Sequence, residues 1–211
     1  MSKSSLWGIN KAYVGEELIE YQNSWLFTPI ITQVLCEKYV PEMLQTPFPF
    51  RKKQVIVSLD LNSIWSAANE KVNSCDNTPD RVCWEMSNQN IFFTKDKKCI
   101  AEAIRVFVKQ NTQYDISETD RIGSLCREHI IERFNKIAND IEALDEEKFP
   151  HFVLKNTSCD DGVERWFYEY NEETDEREEK SLEDWNEFIA EFVVIVNGKI
   201  EKFVSNLDYN Y

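Results

Sequence analysis

The sequence predicts an α+β fold in a single domain, and three observations carry that reading. Apolar residues recur at steps of three and four in several segments, short β-branched runs bounded by turn residues lie between them, and their order lacks the regular alternation of a doubly wound parallel sheet. Several amphipathic helices packed on a small, mainly antiparallel sheet follow, with no internal repeat. The material for a core is present, since 42% of the 211 residues are hydrophobic and thirteen Phe and six Trp bring large rings to it. By charge, the domain divides into a neutral, helix-rich body at 1–145 and an acidic hairpin-plus-helix region at 146–211.

The elements follow in order. Val14 to Phe27 reads as a helix with Leu18, Tyr21 and Trp25 on one side. Thr28 and Pro29 restart the chain as N-cap and first helical residue, and Ile31, Val34, Leu35 and Tyr39 line a second helix that Pro41 ends. Gln54 to Leu59 is a β-branched strand, followed by a helix over Ser63 to Val72 capped by Asp60 or Asn62. After a CDNTPD loop, Arg81–Met86 and Ile91–Phe93 read as strands, and Thr94 caps a helix with Ile100, Ala103, Ile104, Phe107 and Val108 on one face.

A capping box at Ser117–Asp120 opens the longest predicted helix, with Ile122, Cys126, Ile130, Phe134, Ile137, Ile141 and Leu144 at helical spacing. Phe149–Asn156 and Val163–Tyr170 then read as the two arms of a hairpin. NEETDEREEK reads as a charged loop, and Ser181-Leu182-Glu183-Asp184 as a second capping box for a helix through Leu182, Trp185, Ile189, Phe192, Val196, Ile200, Phe203 and Leu207. The competing reading of that last stretch is a hairpin turning at Asn197-Gly198; the helix is preferred because eight positions fit one period.

Charge is distributed unevenly. Residues 1–139 hold 17 Lys+Arg and 17 Asp+Glu, whereas 140–211 hold 7 and 21, so the whole net charge of −14 belongs to the final third. Between Glu169 and Glu191, eleven acidic residues stand against Arg177 and Lys180. Such a block repels itself and resists neutral neighbours. On the predicted last helix, Glu183, Glu187 and Glu191 repeat every four residues, an arrangement that costs a few tenths of a kcal/mol per pair. A face kept only for structure has no reason to accept that cost.

Motifs for chemistry are sparse. Five glycines leave little material for a phosphate loop, and two histidines provide few carriers of acid–base chemistry at neutral pH. Asp60, at the end of an apolar strand, is placed like a Mg²⁺ ligand and also like a helix cap; the metal reading requires further carboxylates such as Glu85 or Glu102 to converge on it. Cys126 and His129 share a helix face and, with Cys75 and Cys83, make four candidate zinc ligands, although that spacing is too long for a zinc knuckle. His129 or His151 paired with a cysteine lacks any local nucleophile signature. The six cysteines are scattered without a CxxC, and Cys36, Cys99 and Cys126 lie on apolar stripes, as buried thiols in a reducing cytoplasm do. No signal-peptide core and no run of roughly 20 apolar residues is present, so neither secretion by that route nor membrane insertion is expected.

These features point to a non-enzymatic inhibitor or regulator, without cofactor or metal, that offers a carboxylate surface to a basic protein or nucleoprotein complex in the cytoplasm (the host cytoplasm if phage-encoded). The surface comprises Glu169, Glu172, Glu173, Asp175, Glu176, Glu178, Glu179, Glu183, Asp184, Glu187 and Glu191, with Trp166, Tyr168 and Tyr170 as aromatic anchors. Carboxylate arrays of this kind occupy phosphate-binding grooves much as nucleic acid does. In charge and size alone the chain is analogous to mobile-element proteins that block CRISPR or restriction complexes and to nuclease immunity proteins; no motif assigns it to such a family. Direct nucleic-acid binding by Arg51, Lys52 and Lys53 with Lys95, Lys97 and Lys98 is opposed by the net charge. The alternatives are a metal-dependent hydrolase or nuclease using Asp60 and an assembly subunit joining the basic patch of one copy to the acidic region of the next.

Overall fold

Asn10 sets the first turn: its side-chain oxygen accepts hydrogen bonds from the backbone of Ala12 at 2.8 Å and Val14 at 3.1 Å. The chain therefore doubles back, and β1 (Lys3–Ile9) pairs antiparallel with β2 (Gly15–Gln22). This corrects the helix expected from Val14 onward. The ladder steps from Leu6↔Ile19 to Trp7↔Glu17, leaving Leu18 as the bulged residue. A bulge inserts one residue into the two-residue period, so Leu18 and Tyr21 fall three apart in a strand and imitate a helix.

The computed structural model describes residues 3–22, 27–43, 61–112, 128–157, 167–184 and 190–205. The strand expected at Gln54–Leu59 and the capping box at Ser117 lie outside them. Helix α1 (Thr28–Tyr39) has Pro29 in its first turn and buries Ile30, Ile31, Leu35 and Cys36. Its N-cap is Phe27 rather than Thr28, without a side-chain cap. Helix α2 (Leu61–Ser74) buries Ile64, Ala68 and Val72 at four-residue steps.

The strand expected at Arg81–Met86 is instead helix α3 (Thr78–Ser87). Asn77 caps it by accepting from the Asp80 backbone N–H at 3.2 Å, and Pro79 occupies the first turn. Seven of its residues, Asp80 and Val82–Ser87, are buried, so α3 lacks the one-sided stripe that marks a surface helix. Asn77→Ala is expected to cost about 1 kcal/mol, read as a lower urea midpoint at unchanged slope.

Strand β3 (Ile91–Phe93) leads through a 3₁₀ turn at Thr94–Asp96 into α4 (Lys97–Asn111), which buries the predicted Ile100, Ala103, Ile104, Phe107 and Val108. Asp96 rather than Thr94 holds the N-cap position, and its carboxylate accepts from the Ile195 backbone at 2.8 Å instead of capping. Helix α5 (Glu128–Glu142) buries Ile130, Phe134, Ile137, Ala138 and Ile141. Strand β4 (His151–Thr157) follows; later come β5 (Tyr168–Asn171), β6 (Glu176–Glu179), β7 (Ala190–Val196) and β8 (Lys199–Ser205).

Five α-helices, a six-stranded sheet in the order β2-β1-β4-β3-β7-β8 and a separate β5-β6 ribbon, all among the described residues, make an α+β fold. Every pairing in the large sheet is antiparallel except β3 with β7. Two expectations for the final third are corrected. Strand β4 pairs with β1 and β3, not with β5, and the last apolar stretch is the β7–β8 hairpin rather than a helix. Asn197 at φ 51° and Gly198 at φ 76° form its two-residue turn, the left-handed pair whose twist matches that of the strands.

Alternation across the sheet supplies two cores. Leu6, Phe92, Phe152, Leu154, Val193 and Ile200 face the helical layer, while Trp7, Ile9, Ile91, Phe93, Val153, Phe192 and Val194 make a second, aromatic cluster with Phe167 and Leu182. No helix among the described residues is long and apolar enough to cross a membrane.

Candidate functional site

Half of the acidic block folds on itself. Strands β5 and β6 pair antiparallel in the register Tyr168↔Glu179, Glu169↔Glu178, Tyr170↔Arg177 and Asn171↔Glu176. The stretch read as a charged loop is therefore the turn and second strand of a ribbon. Asn171 closes the turn: its side chain accepts from the backbone of Glu173 at 2.9 Å and of Thr174 at 3.3 Å, and Asp175 takes φ 58°.

Residues directly opposite each other share a face of such a ribbon. One face thus carries Glu169, Glu178, Glu176 and Asn171; the other carries Tyr168, Tyr170, Arg177 and Glu179. Every residue from Glu172 to Glu179 is exposed. Glu169 and Glu178 are like charges in a directly opposed pair, which destabilises a ladder. The Lys180 ammonium at 3.0 Å from Glu169 and the Asn171 amide at 2.7 Å from Glu178 offset part of that repulsion. On the other face Tyr170 is 56% exposed, its hydroxyl donating to Asp175 at the tip, while Tyr168 is half-buried against the aromatic cluster.

The base of the ribbon is fixed to the body. Phe167, fully buried, stacks on Trp7 with ring centroids 5.2 Å apart, and its carbonyl accepts from Lys180 N–H at 2.7 Å. Gly15 allows the ring to seat, since a Cβ there would come within 2.5 Å of it. Leu182 is buried, with its N–H donating to the Tyr13 carbonyl at 3.1 Å, and the Ser181 hydroxyl donates to the Ala12 carbonyl at 2.8 Å. Both ends of the ribbon therefore rest on the β1–β2 turn and the second core.

The structure brings together Glu169, Glu172, Glu173, Asp175, Glu176, Glu178 and Glu179 on the ribbon, while Glu183, Asp184 and Glu191 lie on other elements. Glu183 is exposed in a single 3₁₀ turn, Leu182–Asp184, where its N–H donates to Ser181 Oγ at 3.2 Å; Asp184 ends that turn. Glu191 lies on β7 and accepts from Asn90 at 3.0 Å. The stacked helix face of Glu183, Glu187 and Glu191 is therefore corrected: Glu183 and Glu191 sit on different elements, and Glu187, like Trp166, falls outside the described residues.

Other candidate groups are committed elsewhere. Asp60, Cys126, Cys159 and the Arg51–Lys53 cluster lie outside the described residues. Glu85 is fully buried 3.0 Å from the Lys202 ammonium, and burial raises its carboxyl pKa against the opposing pull of Lys202 and Asn90. Glu102 is exposed beside Arg105 at 4.0 Å. Cys36 and Cys83 are buried free thiols, whereas Cys99 is exposed, one position off the stripe it was assigned to. Among the described residues no three His, Cys, Asp or Glu side chains converge as metal ligands would. His129 is exposed in a cleft of about 280 Å³ whose other lining residues, Glu20, Tyr21, Glu132, Arg133 and Lys136, carry both signs of charge.

Periodicity missed Asp80, which is wholly buried at the start of α3. It accepts from Lys38 at 2.5 Å and from the Tyr39 hydroxyl at 2.6 Å, and so ties α1 to α3. The signal available was Asn77-Thr78-Pro79-Asp80, a cap followed by an acid in the first turn. Comparison of the chain with protein-family models, with curated proteins and with solved structures returned no match.

Proposed function

We propose that this protein is a binding protein that presents its acidic ribbon to a basic surface of a protein or nucleoprotein partner and thereby inhibits or regulates it. The observation that supports this reading is the exposed Glu172–Glu179 run on a two-stranded ribbon whose base is buried and hydrogen-bonded to the body. A carboxylate array on a fixed base loses less conformational freedom on docking than the same residues in a loose loop. The directly opposed Glu169–Glu178 pair is relieved when a partner's Lys or Arg approaches that face, so repulsion in the free protein becomes affinity in the complex. Tyr170, half-exposed on the reverse face, is the aromatic anchor of the site.

A partner that uses such a basic surface for nucleic acid would be blocked by occupancy, in the manner of a mobile-element anti-defence protein or a nuclease immunity protein. The test is a capture from lysate at low salt with the native chain and with a variant carrying Gln or Asn at Glu172, Glu173, Asp175, Glu176, Glu178 and Glu179. The expected result is a nucleic-acid-handling protein retained by the native chain, released steeply as salt rises and lost with the variant, while the circular dichroism of both chains agrees. Equal retention by the two chains overturns the reading.

A further inference from the structure

Helix α3 meets the Asn197-Gly198 turn and strand β8, an edge strand among the described residues, at three points in step. Thr78 Oγ1 donates to the Gly198 carbonyl at 2.8 Å, Arg81 Nη2 donates to the Ile200 carbonyl at 3.0 Å, and Glu85 faces the Lys202 ammonium at 3.0 Å. Seven residues of helix rise about 10 Å and four residues of strand about 13 Å, so positions 78, 81 and 85 stay level with 198, 200 and 202. In a two-residue hairpin loop the closing pair Val196–Lys199 exchanges both ladder hydrogen bonds, so the Ile200 carbonyl points away from β7. The helix thus occupies one outward carbonyl of a strand that is an edge among the described residues.

The third rung differs from the other two in its charges. Lys202 stands between two carboxylates, Glu85 at 3.0 Å and Glu191 at 3.4 Å, and the Asn90 amide donates to the same pair at 2.5 Å and 3.0 Å. Glu85 is wholly buried, Lys202 is 23% exposed and Glu191 44% exposed. One ammonium balances one carboxylate, so with both acids ionised the cluster holds an uncompensated negative charge against a buried side chain. We propose that Glu85, Lys202 and Glu191 form a titratable latch, which holds β8 to the last turn of α3 while Glu85 keeps its proton beside the Glu191 charge and loosens when that proton leaves.

The direction follows from the surroundings. Burial disfavours the Glu85 anion and the Glu191 charge adds to this, while Lys202 and Asn90 oppose it; the net effect holds the Glu85 carboxyl above the ordinary glutamate range. A group whose folded value is raised contributes stability that is complete at pH below its unfolded value and is lost as pH rises through the folded one. The other charged groups of α3 are engaged elsewhere, Asp80 by Lys38 and Arg81 by the Ile200 carbonyl. The Thr78 and Arg81 rungs contain no carboxyl group, so opening is confined to the Lys202 end.

The experiment is hydrogen exchange of β8 backbone amides in the full chain, expressed as local opening equilibria after correction for intrinsic exchange. Opening at the Glu201 and Phe203 amides, which face β7, is expected to increase severalfold relative to α4 core amides, the reporters of global stability, as pH rises from below the ordinary glutamate value of 4.5 to neutral pH. Glu85→Gln abolishes that increase. Glu191→Gln, on a half-exposed side chain, leaves one carboxylate per ammonium and reduces it, so the proposal stays testable even if the buried substitution prevents folding. Equal opening of the native chain at both pH values, or an undiminished increase in Glu191→Gln, overturns the latch.

Discussion

Phe167→Ala is expected to lower the unfolding free energy by about 3–5 kcal/mol, the usual cost of removing a buried aromatic ring and leaving its cavity. The ring is fully buried, stacks on Trp7 and lies over Gly15, whose missing Cβ makes the space that the ring fills. Its loss removes one side of the second core and also detaches the ribbon. A two-stranded ribbon is marginal by itself in water, and β5–β6 carries the added repulsion of Glu169 against Glu178. Urea unfolding should therefore report a large loss of stability, and capture of the partner should fall although every carboxylate remains. The six-site neutralised variant should do the opposite, losing capture with little change in stability. If Phe167→Ala lost stability but captured as well as the native chain, the ribbon would bind without needing its base.

What could be read from the sequence depended on whether one rule governed each segment. Helices α4 and α5 have one buried stripe and one solvated face, so Ile100 to Val108 and Ile130 to Ile141 declared themselves by spacing alone. Helix α3 is buried nearly all round and β2 contains a bulge, and in both the period was erased or counterfeited by packing that lies far away in sequence. The final hairpin had its turn in plain sight at Asn197-Gly198. The eight-position stripe from Leu182 to Leu207 misled because Leu182 and Phe192 belong to the aromatic cluster while Ile200 faces the helices across the sheet, a division that linear spacing cannot express. The candidate site followed the same logic. Composition located the acidic surface, but which carboxylates share a face was decided by a cross-strand register that begins at the Asn171 turn, and Glu191 left the set because Asn90 and Lys202 hold it within the fold.

Acid should weaken the second core through His151. This side chain is buried on β4 among aromatic rings, 4.8 Å from Phe93, 5.4 Å from Phe192 and 5.7 Å from Tyr13 between centroids. Burial, with the nearby Lys95 charge, pushes its pKa from 6.5 down to about 4. Between those values the unfolded chain binds a proton that the folded chain refuses, so stability rises with pH there. The contribution is complete above pH 6.5 and is lost as pH falls toward about 4, with a total on the order of 3 kcal/mol. Glu85 and Asp96, whose carboxyls burial pushes up, act in the opposite sense over the acid range, so the raw stability profile mixes the two. Subtracting the profile of His151→Phe isolates the imidazole, because phenylalanine keeps a ring in the aromatic cage and removes the titration. The native-minus-variant difference should decline by about 3 kcal/mol from pH 7 to pH 4, and parallel profiles would mean that His151 takes up its proton in the folded protein as readily as in the unfolded chain. Because the same cluster seats Phe167 and Leu182, partner capture by the native chain should decline over that interval more steeply than capture by His151→Phe.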